Sequence, residues 1–309
     1  MRDSKNNLVS VVIVSYNSAD FITQTLDSIY NQTYPHIELI ISDDGSKDNT
    51  PAIAAQWIEA HKERFTNCIL LAHEKNQGVA ENLNAGIRAA TGKYIKDFAA
   101  DDLLMPTYLQ THIAFLEETG ADCVFSRLCS FTEENGEKVV SEYPLPAGEE
   151  FFNAPAETQY RLLLEANRLL SPSFLATRAL YDRHGLYDTR FPLMEDYPFY
   201  TKITKEGTQL RYLDVCLVEY RISAISISNS NAGRVISPAF HKMMRSFFYK
   251  ERLGGLLKHR SFKFLFITLW QLFFSDCILL LGNDKKYAIV RFLDDMRTLK
   301  IFKRSKNNG

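Results

Sequence analysis

Leu8-Val9-Ser10-Val11-Val12-Ile13-Val14-Ser15 is the stretch that decides the fold. It is short, nearly all β-branched, and apolar on both alternating faces, which suits a strand covered on both sides as in a parallel sheet. Tyr16-Asn17-Ser18 ends it, and Phe21, Ile22, Leu26 and Ile29 then recur at helical spacing, with Ser18 or Asp20 as candidate caps. The unit repeats. Residues 37–42 read as a second strand, Asp43-Asp44-Gly45-Ser46 as a turn, and Thr50-Pro51 as the opening of a helix to about residue 64. Residues 68–72 and 94–98 give two more strands, with a helix over 79–90 between them and another opened by Pro106. Such alternation predicts an α/β domain with a mostly parallel sheet flanked by helices.

In sheets of this kind ligands bind outside the carboxyl ends of the strands. Those ends carry Ser15-Tyr16-Asn17, then Asp43-Asp44, then the loop from His73 to Gly78 with Asn76, then Asp101-Asp102. A lone Asp-Asp pair is most simply a solvated turn. Two such pairs on one edge point to a site, because adjacent carboxylates need water, a base or a shared cation.

The series Val11 to Asn17, Asp43-Asp44-Gly45-Ser46, Asn76-Gln77-Gly78, Asn84-Ala85-Gly86, Gly92-Lys93-Tyr94-Ile95 and Asp101-Asp102 resembles the family-2 inverting glycosyltransferases of GT-A (Rossmann-like) fold. Glu195-Asp196-Tyr197 and Tyr220-Arg221 match that family's later signals, and the resemblance covers roughly residues 8–228. It implies a hexosyltransferase-type, metal-dependent enzyme of bacterial polysaccharide biosynthesis. The donor would be a nucleotide-sugar, by family preference a UDP-sugar, and the acceptor a hydroxyl of a saccharide or lipid-linked saccharide. It also implies roles: Asp102 and Asp101 for Mn²⁺ or Mg²⁺, Asp196 with Glu195 for the general base, and Asp43 and Asp44 for the base and ribose. Ser15, Tyr16, Asn17, Asn76, Gly78, Asp101 and Arg221 complete the nucleotide-sugar set, with Tyr16 as a stacking ring and Arg221 on the diphosphate. Two positions depart from the family pattern: Ala99 stands where an Asp-x-Asp motif begins, and Ser223 stands where a His is frequent. The alternative they support is a catalytically degenerate GT-A protein that binds nucleotide-sugar or a partner without turnover. A sugar nucleotidyltransferase, by contrast, needs a Gly-rich loop after its first strand, and Ser15-Tyr16-Asn17-Ser18 offers none.

Charge divides the chain. From residue 241 onward it has 15 Lys/Arg against 5 Asp/Glu, and before that 21 against 32, so an acidic body carries a basic tail. The expected division is residues 1–228 for nucleotide-sugar binding and catalysis and 229–309 for a basic, aromatic-rich helical region. Within the latter, residues 264–281 (FLFITLWQLFFSDCILLL) are long enough to span a bilayer, but Asp276 would cost about 2.5–3.5 kcal/mol near its centre. An apolar helix packed on the catalytic domain, a homo-oligomer contact, or a peripheral membrane contact with bases on anionic lipid remains open for it. The acidic body argues against nucleic acid. Five cysteines without a CxxC pair read as buried thiols of a reducing compartment, without a disulfide framework. Residues 1–7 lack the apolar core of a signal peptide. The expected location is therefore cytoplasmic, peripheral to the inner membrane face if the tail docks there.

Overall fold

The β-branched opening run becomes the strand on which the sheet is built. In a computed structural model, which describes residues 7–134, 137–143, 147–222 and 234–298, it forms β1 (Val9–Ser15), buried at every residue but the partly covered Val14. Then follow α1 (Ile22–Tyr30), β2 (Ile37–Asp43), α2 (Thr50–His61), β3 (Asn67–Ala72), α3 (Val79–Ala89), β4 (Tyr94–Ala99), a short β5 (Leu103–Leu104) and α4 (Tyr108–Thr119). Neither Ser18 nor Asp20 caps α1 through its side chain. Instead the Ser18 carbonyl accepts the N–H groups of Phe21 and Ile22 at 3.0 and 2.9 Å, so a backbone turn begins the helix.

Beyond α4 come β6 (Cys123–Glu134), β7 (Glu137–Glu142), α5 (Glu149–Asn153), α6 (Ala156–Glu165), β8 (Leu175–Thr177), α7 (Arg178–His184), α8 (Asp196–Lys205) and β9 (Arg211–Arg221). The sheet order is β3-β2-β1-β4-β8-β6-β9-β5, with β7 paired to β6. The first four strands are mutually parallel, as the alternation predicts. Past β4 the sheet is mixed: β8 runs antiparallel to β4 and β6, while β6 and β9 are parallel. The Asn135-Gly136 tip of the polar segment and the Ser/Asn-rich 223–230 stretch lie outside the described residues.

One cysteine expectation fails. Cys129 and Cys216 are joined as a disulfide, with Cα atoms 6.1 Å apart. They are 87 residues apart in sequence, but β6 and β9 are neighbours, so the topology brings together what spacing could not. Cys123 is a buried thiol, while Cys68 and Cys277 are only partly covered.

The chain separates into two compact units, 1–163 with 167–222, and 164–166 with 223–309; the boundary expected at residue 228 lies outside the described residues. The first unit holds the sheet. The second is helical, with α9 (Pro238–Phe247), α10 (Leu253–Lys258), α11 (Phe262–Leu280) and α12 (Ala288–Arg297).

The parallel half depends on close approach of α3 to β1. A Cβ at Gly86 would stand 2.3 Å from Cγ1 of Val12, a buried sheet residue. Gly86→Ala must therefore push α3 outward and should cost about 1–3 kcal/mol in chemical denaturation. Gly254→Ala, where the added methyl meets nothing within 4 Å in α10, should instead gain about 0.5–1 kcal/mol. Equal effects at the two glycines would refute this packing account.

Candidate active site

The expected residues meet at the carboxyl edge of the parallel strands, and most are already engaged with one another. Asp43, last in β2, is buried. Its carboxylate accepts from Ser15 Oγ at 2.8 Å and from the Ser46 N–H and Oγ at 2.9 and 2.6 Å. Asp44 accepts the N–H groups of Gln77 and Gly78 at 2.7 and 2.9 Å, holding the loop after β3. Asn17, at φ 51°, donates its N–H to Ser46 Oγ and accepts the Lys47 N–H on Oδ1, both at 2.8 Å. Three loops are thus laced together, and the Tyr16 side chain is left about half exposed. Asn76 is exposed, its Oδ1 also receiving the Gly78 N–H at 3.2 Å.

Two glycines make the lacing possible. Gly45 (φ +73°) passes so close to Lys75 that a Cβ would lie 2.9 Å from its carbonyl carbon. Gly78 (φ +92°) packs on Pro192, where a Cβ would lie 2.8 Å from Pro192 Cβ. Both conformations favour glycine. Through Gly78 the Asp44 loop is seated on the segment that leads to Glu195 and Asp196.

Asp101 and Asp102 follow β4. Asp102 is buried, and its Oδ1 accepts the backbone N–H of Arg221 at 2.9 Å. The Arg221 guanidinium donates from Nε to the Asp101 carbonyl at 2.8 Å, binds Gln24 Oε1, and pairs with Glu133 Oε2 at 3.1 Å. It also lies over the Phe21 and Phe131 rings, 4.8 and 4.5 Å from their centroids. Arg221 is therefore a strut that fixes the Asp pair from beneath. These contacts use three of the five guanidinium N–H groups, so the diphosphate contact expected of it does not require breaking them. Burial, and then the Asp101 charge, push Asp102 well above the usual carboxylate range; burial also raises Asp101, against the pull of Arg221. Among the described residues no group of three or more His, Cys, Asp or Glu side chains is arranged to hold a metal by itself.

Glu195 and Asp196 stand at the start of α8, partly exposed. Asp196 accepts the Tyr197 N–H at 2.6 Å and lies 3.5 Å from Asn167 Nδ2. Burial raises Glu195 to about 8, helped by the charges of Asp196 and Asp97; Asp196 is also raised, chiefly by burial.

The sequence profile described as Glycosyl transferase family 2 matches residues 10–184. The chain belongs to glycosyltransferase family 2. Similarity is also found to the Escherichia coli UDP-Glc:alpha-D-GlcNAc-diphosphoundecaprenol beta-1,3-glucosyltransferase WfaP, 27% identical over 82% of this chain and 95% of that protein. Among solved structures, S. aureus TarS 1-349 in complex with UDP-GlcNAc superposes with a TM-score of 0.60 at 22% identity, over 77% of this chain and 65% of that one. The mannosyltransferase PcManGT from Pyrobaculum calidifontis, in complex with GDP-Man and Mn2+, gives 0.54 at 19%, over 99% and 88%. These likenesses show the GT-A fold. The chain spans only 39% of a longer TarS structure.

Two residues of this glycosyltransferase escaped the sequence reading. Lys96, fully buried in β4, donates to the carbonyls of Asp97, Pro172 and Phe174 at 2.6, 2.8 and 3.0 Å. Burial lowers it to about 8, while the charges of Asp97 and Asp102 oppose that shift. Asp97 faces the other side of the strand. Its Oδ2 accepts the Tyr187 hydroxyl and its buried Oδ1 has no hydrogen-bond partner. Tyr187 is itself clasped by Asn84, which donates to its carbonyl and accepts its N–H, both at 2.9 Å. The signal was a Lys-Asp pair inside an otherwise apolar strand.

These raised carboxyls make stability fall with pH. A carboxyl whose folded pKa exceeds its unfolded one binds more protons when folded, so its stabilisation is full below the unfolded value and lost as pH rises through the folded one. For Glu195 that window runs from 4.5 to about 8. Glu195's contribution to the melting temperature should drop across it, and Glu195→Gln should remove that contribution from the slope in a pH series of thermal melts; an unchanged slope would show that Glu195 titrates normally.

Proposed function

We propose that the chain moves a sugar from a nucleoside-diphosphate donor, a UDP-sugar, to a hydroxyl of a saccharide or lipid-linked saccharide acceptor, with inversion at the anomeric carbon, during cell-surface polysaccharide assembly on the cytoplasmic side. The observation that carries this is the Glu195–Asp196 pair, seated by Pro192 and Gly78 against the loops that Asp43 and Asp44 organise. A glucosyltransferase acting on a diphosphoundecaprenol-linked sugar, similar over most of both lengths, supports a lipid-linked acceptor. The UDP-GlcNAc complex of TarS supports a uridine nucleotide.

Tyr16 stacks on the nucleobase, and the lone pairs that Asp43 and Asp44 have left face the base and ribose. Asp101 and Asp102 are hard oxygen donors held close together by Arg221, and they would hold Mn²⁺ or Mg²⁺. When bound, the ion neutralises charge that develops on the departing diphosphate. Burial raises Glu195 to about 8, so it is the member of the pair that favours the neutral acid, and the base is assigned to Asp196. Asp196 takes the proton of the acceptor hydroxyl as its oxygen bonds the anomeric carbon. The bond from that carbon to the diphosphate breaks on the opposite face, and the nucleoside diphosphate leaves with the electron pair. A single base and one displacement give inversion. When ionised, Asp97 raises Asp196 further and so strengthens it as a base.

Asp196→Asn should lower kcat about 10²–10⁴-fold while calorimetric binding of UDP with Mn²⁺ is retained. Activity that survives this change removes Asp196 from the mechanism. Asp97→Asn should leave transfer intact but move the acid limb of the kcat–pH profile to lower pH, because a neighbouring negative charge is gone. Titrating UDP and GDP with Mn²⁺ and with chelator identifies the nucleotide, and binding unaffected by chelator overturns the metal assignment of Asp101 and Asp102.

A further inference from the structure

The helical second unit wears its apolar side outward. In α11 the buried positions are Thr268, Leu272, Ser275 and Ile278, two of them polar. On the opposite side, Phe262, Phe266, Leu269, Phe273 and Leu280 fall on one stripe, at spacings of 4, 3, 4 and 7 residues. The three phenylalanines are 59%, 64% and 61% exposed. Soluble monomers seldom leave so large a contiguous aromatic stripe in water. Asp276 does not interrupt it: His241 Nε2 at 2.8 Å and Arg245 Nη1 at 2.5 Å hold its carboxylate. Trp270 ties the helix to α12 through the Met296 carbonyl at 2.9 Å, and α12 adds exposed Ile289 and Phe292.

Charge says what covers this stripe. Exposed Lys258, Arg260 and Lys263 flank its beginning, and exposed Lys285, Lys286 and Arg291 follow its end. A second copy packed two-fold on the same face would set these bases against themselves. An anionic bilayer meets both features, taking the rings into its headgroup boundary while bases at either end contact phosphate. Bases at both ends and a packed inner face suit a helix lying in the membrane plane. We propose that the α11 stripe, with Ile289 and Phe292, docks the protein flat on a membrane rich in anionic phospholipid. The inference goes beyond the transferase reading. Its test uses neither donor nor acceptor, so failure of either leaves the other standing.

The experiment is co-sedimentation of the full chain with vesicles of phosphatidylcholine alone and of phosphatidylcholine mixed with phosphatidylglycerol. The chain should bind the anionic vesicles and release them as salt rises. Phe266→Ser with Phe273→Ser should weaken binding about tenfold or more, given the apolar area removed. Lys258→Gln, Arg260→Gln and Lys263→Gln together should abolish the preference for phosphatidylglycerol, which provides a second probe should the first variant unfold. No binding to anionic vesicles, or binding indifferent to both sets of changes, overturns the proposal. So does a dimer in light scattering that the double Phe variant dissociates, because the face would then belong to a second copy.

Discussion

Carboxylates crowded at one sheet edge, with too few cations beside them, are the constraint around which the structure is arranged. Asp43, Asp44, Asp101 and Asp102 follow the carboxyl ends of β2 and β4, Asp97 lies within β4, and Glu195 and Asp196 start α8. An unpaired charge out of water is costly, so each carboxylate must find a proton, a donor or a cation. The solutions differ by position. Asp43 and Asp44 are met by N–H and hydroxyl donors of their own loops, which makes them ligands for the backbone first. At Glu195 burial raises the pKa to about 8, which favours the neutral acid. Asp101 and Asp102 are met by Arg221 and at longer range by Lys96, which leaves them the pair proposed to share a divalent ion.

The same constraint explains why the supports are so tightly packed. An acid that depends on two or three particular donors loses them if a loop shifts by an ångström. Gly45 and Gly78 allow backbone to touch backbone, and Gly86 lets α3 settle on Val12. From α3, Asn84 then reaches Tyr187, and Tyr187 reaches Asp97. A glycine chosen for helix–strand packing is thus connected, through one amide and one phenol, to the electrostatics of the proposed base. Packing and proton affinity are two ends of one chain of contacts.

Much of this was legible in the sequence, for a physical reason. The parallel half of the sheet is specified locally: β-branched runs, helical spacing and turn residues each act within about ten residues, and β1 to β4 fall where those patterns put them. The same regularity gathered Ser15, Asn17, Asp43, Asp44, Asp101 and Asp102, because strand ends in a parallel sheet share an edge. What escaped depends on contacts between distant segments. The partners of Arg221 come from α1, β6 and the turn after β4, so its role as a strut could not be read from Tyr220-Arg221. The Cys129–Cys216 link needed β6 and β9 to be neighbours. Lys96 and Asp97 looked like interruptions of a strand, since a periodicity shows that a charge is buried without showing what meets it.

Ala99 is best understood against this background. It breaks the Asp-x-Asp pattern, and side chains at 97 and 99 lie on the same face of β4, opposite Val12 and Val14 of β1. Asp97 does not take the place of the missing acid, because its Oδ2 is bound to the Tyr187 hydroxyl and its charge bears on Glu195 and Asp196. An aspartate at 99 would add another charge between Asp97 and the Asp101–Asp102 pair, where burial already lifts every carboxyl out of its ordinary range. Each further anion raises its neighbours' proton affinity and weakens their hold on an ion unless a new cation accompanies it. Asp97, two residues earlier on the same face, bears instead on Glu195 and Asp196, so alanine at 99 leaves the proposed Asp101–Asp102 site without a further buried charge beside it.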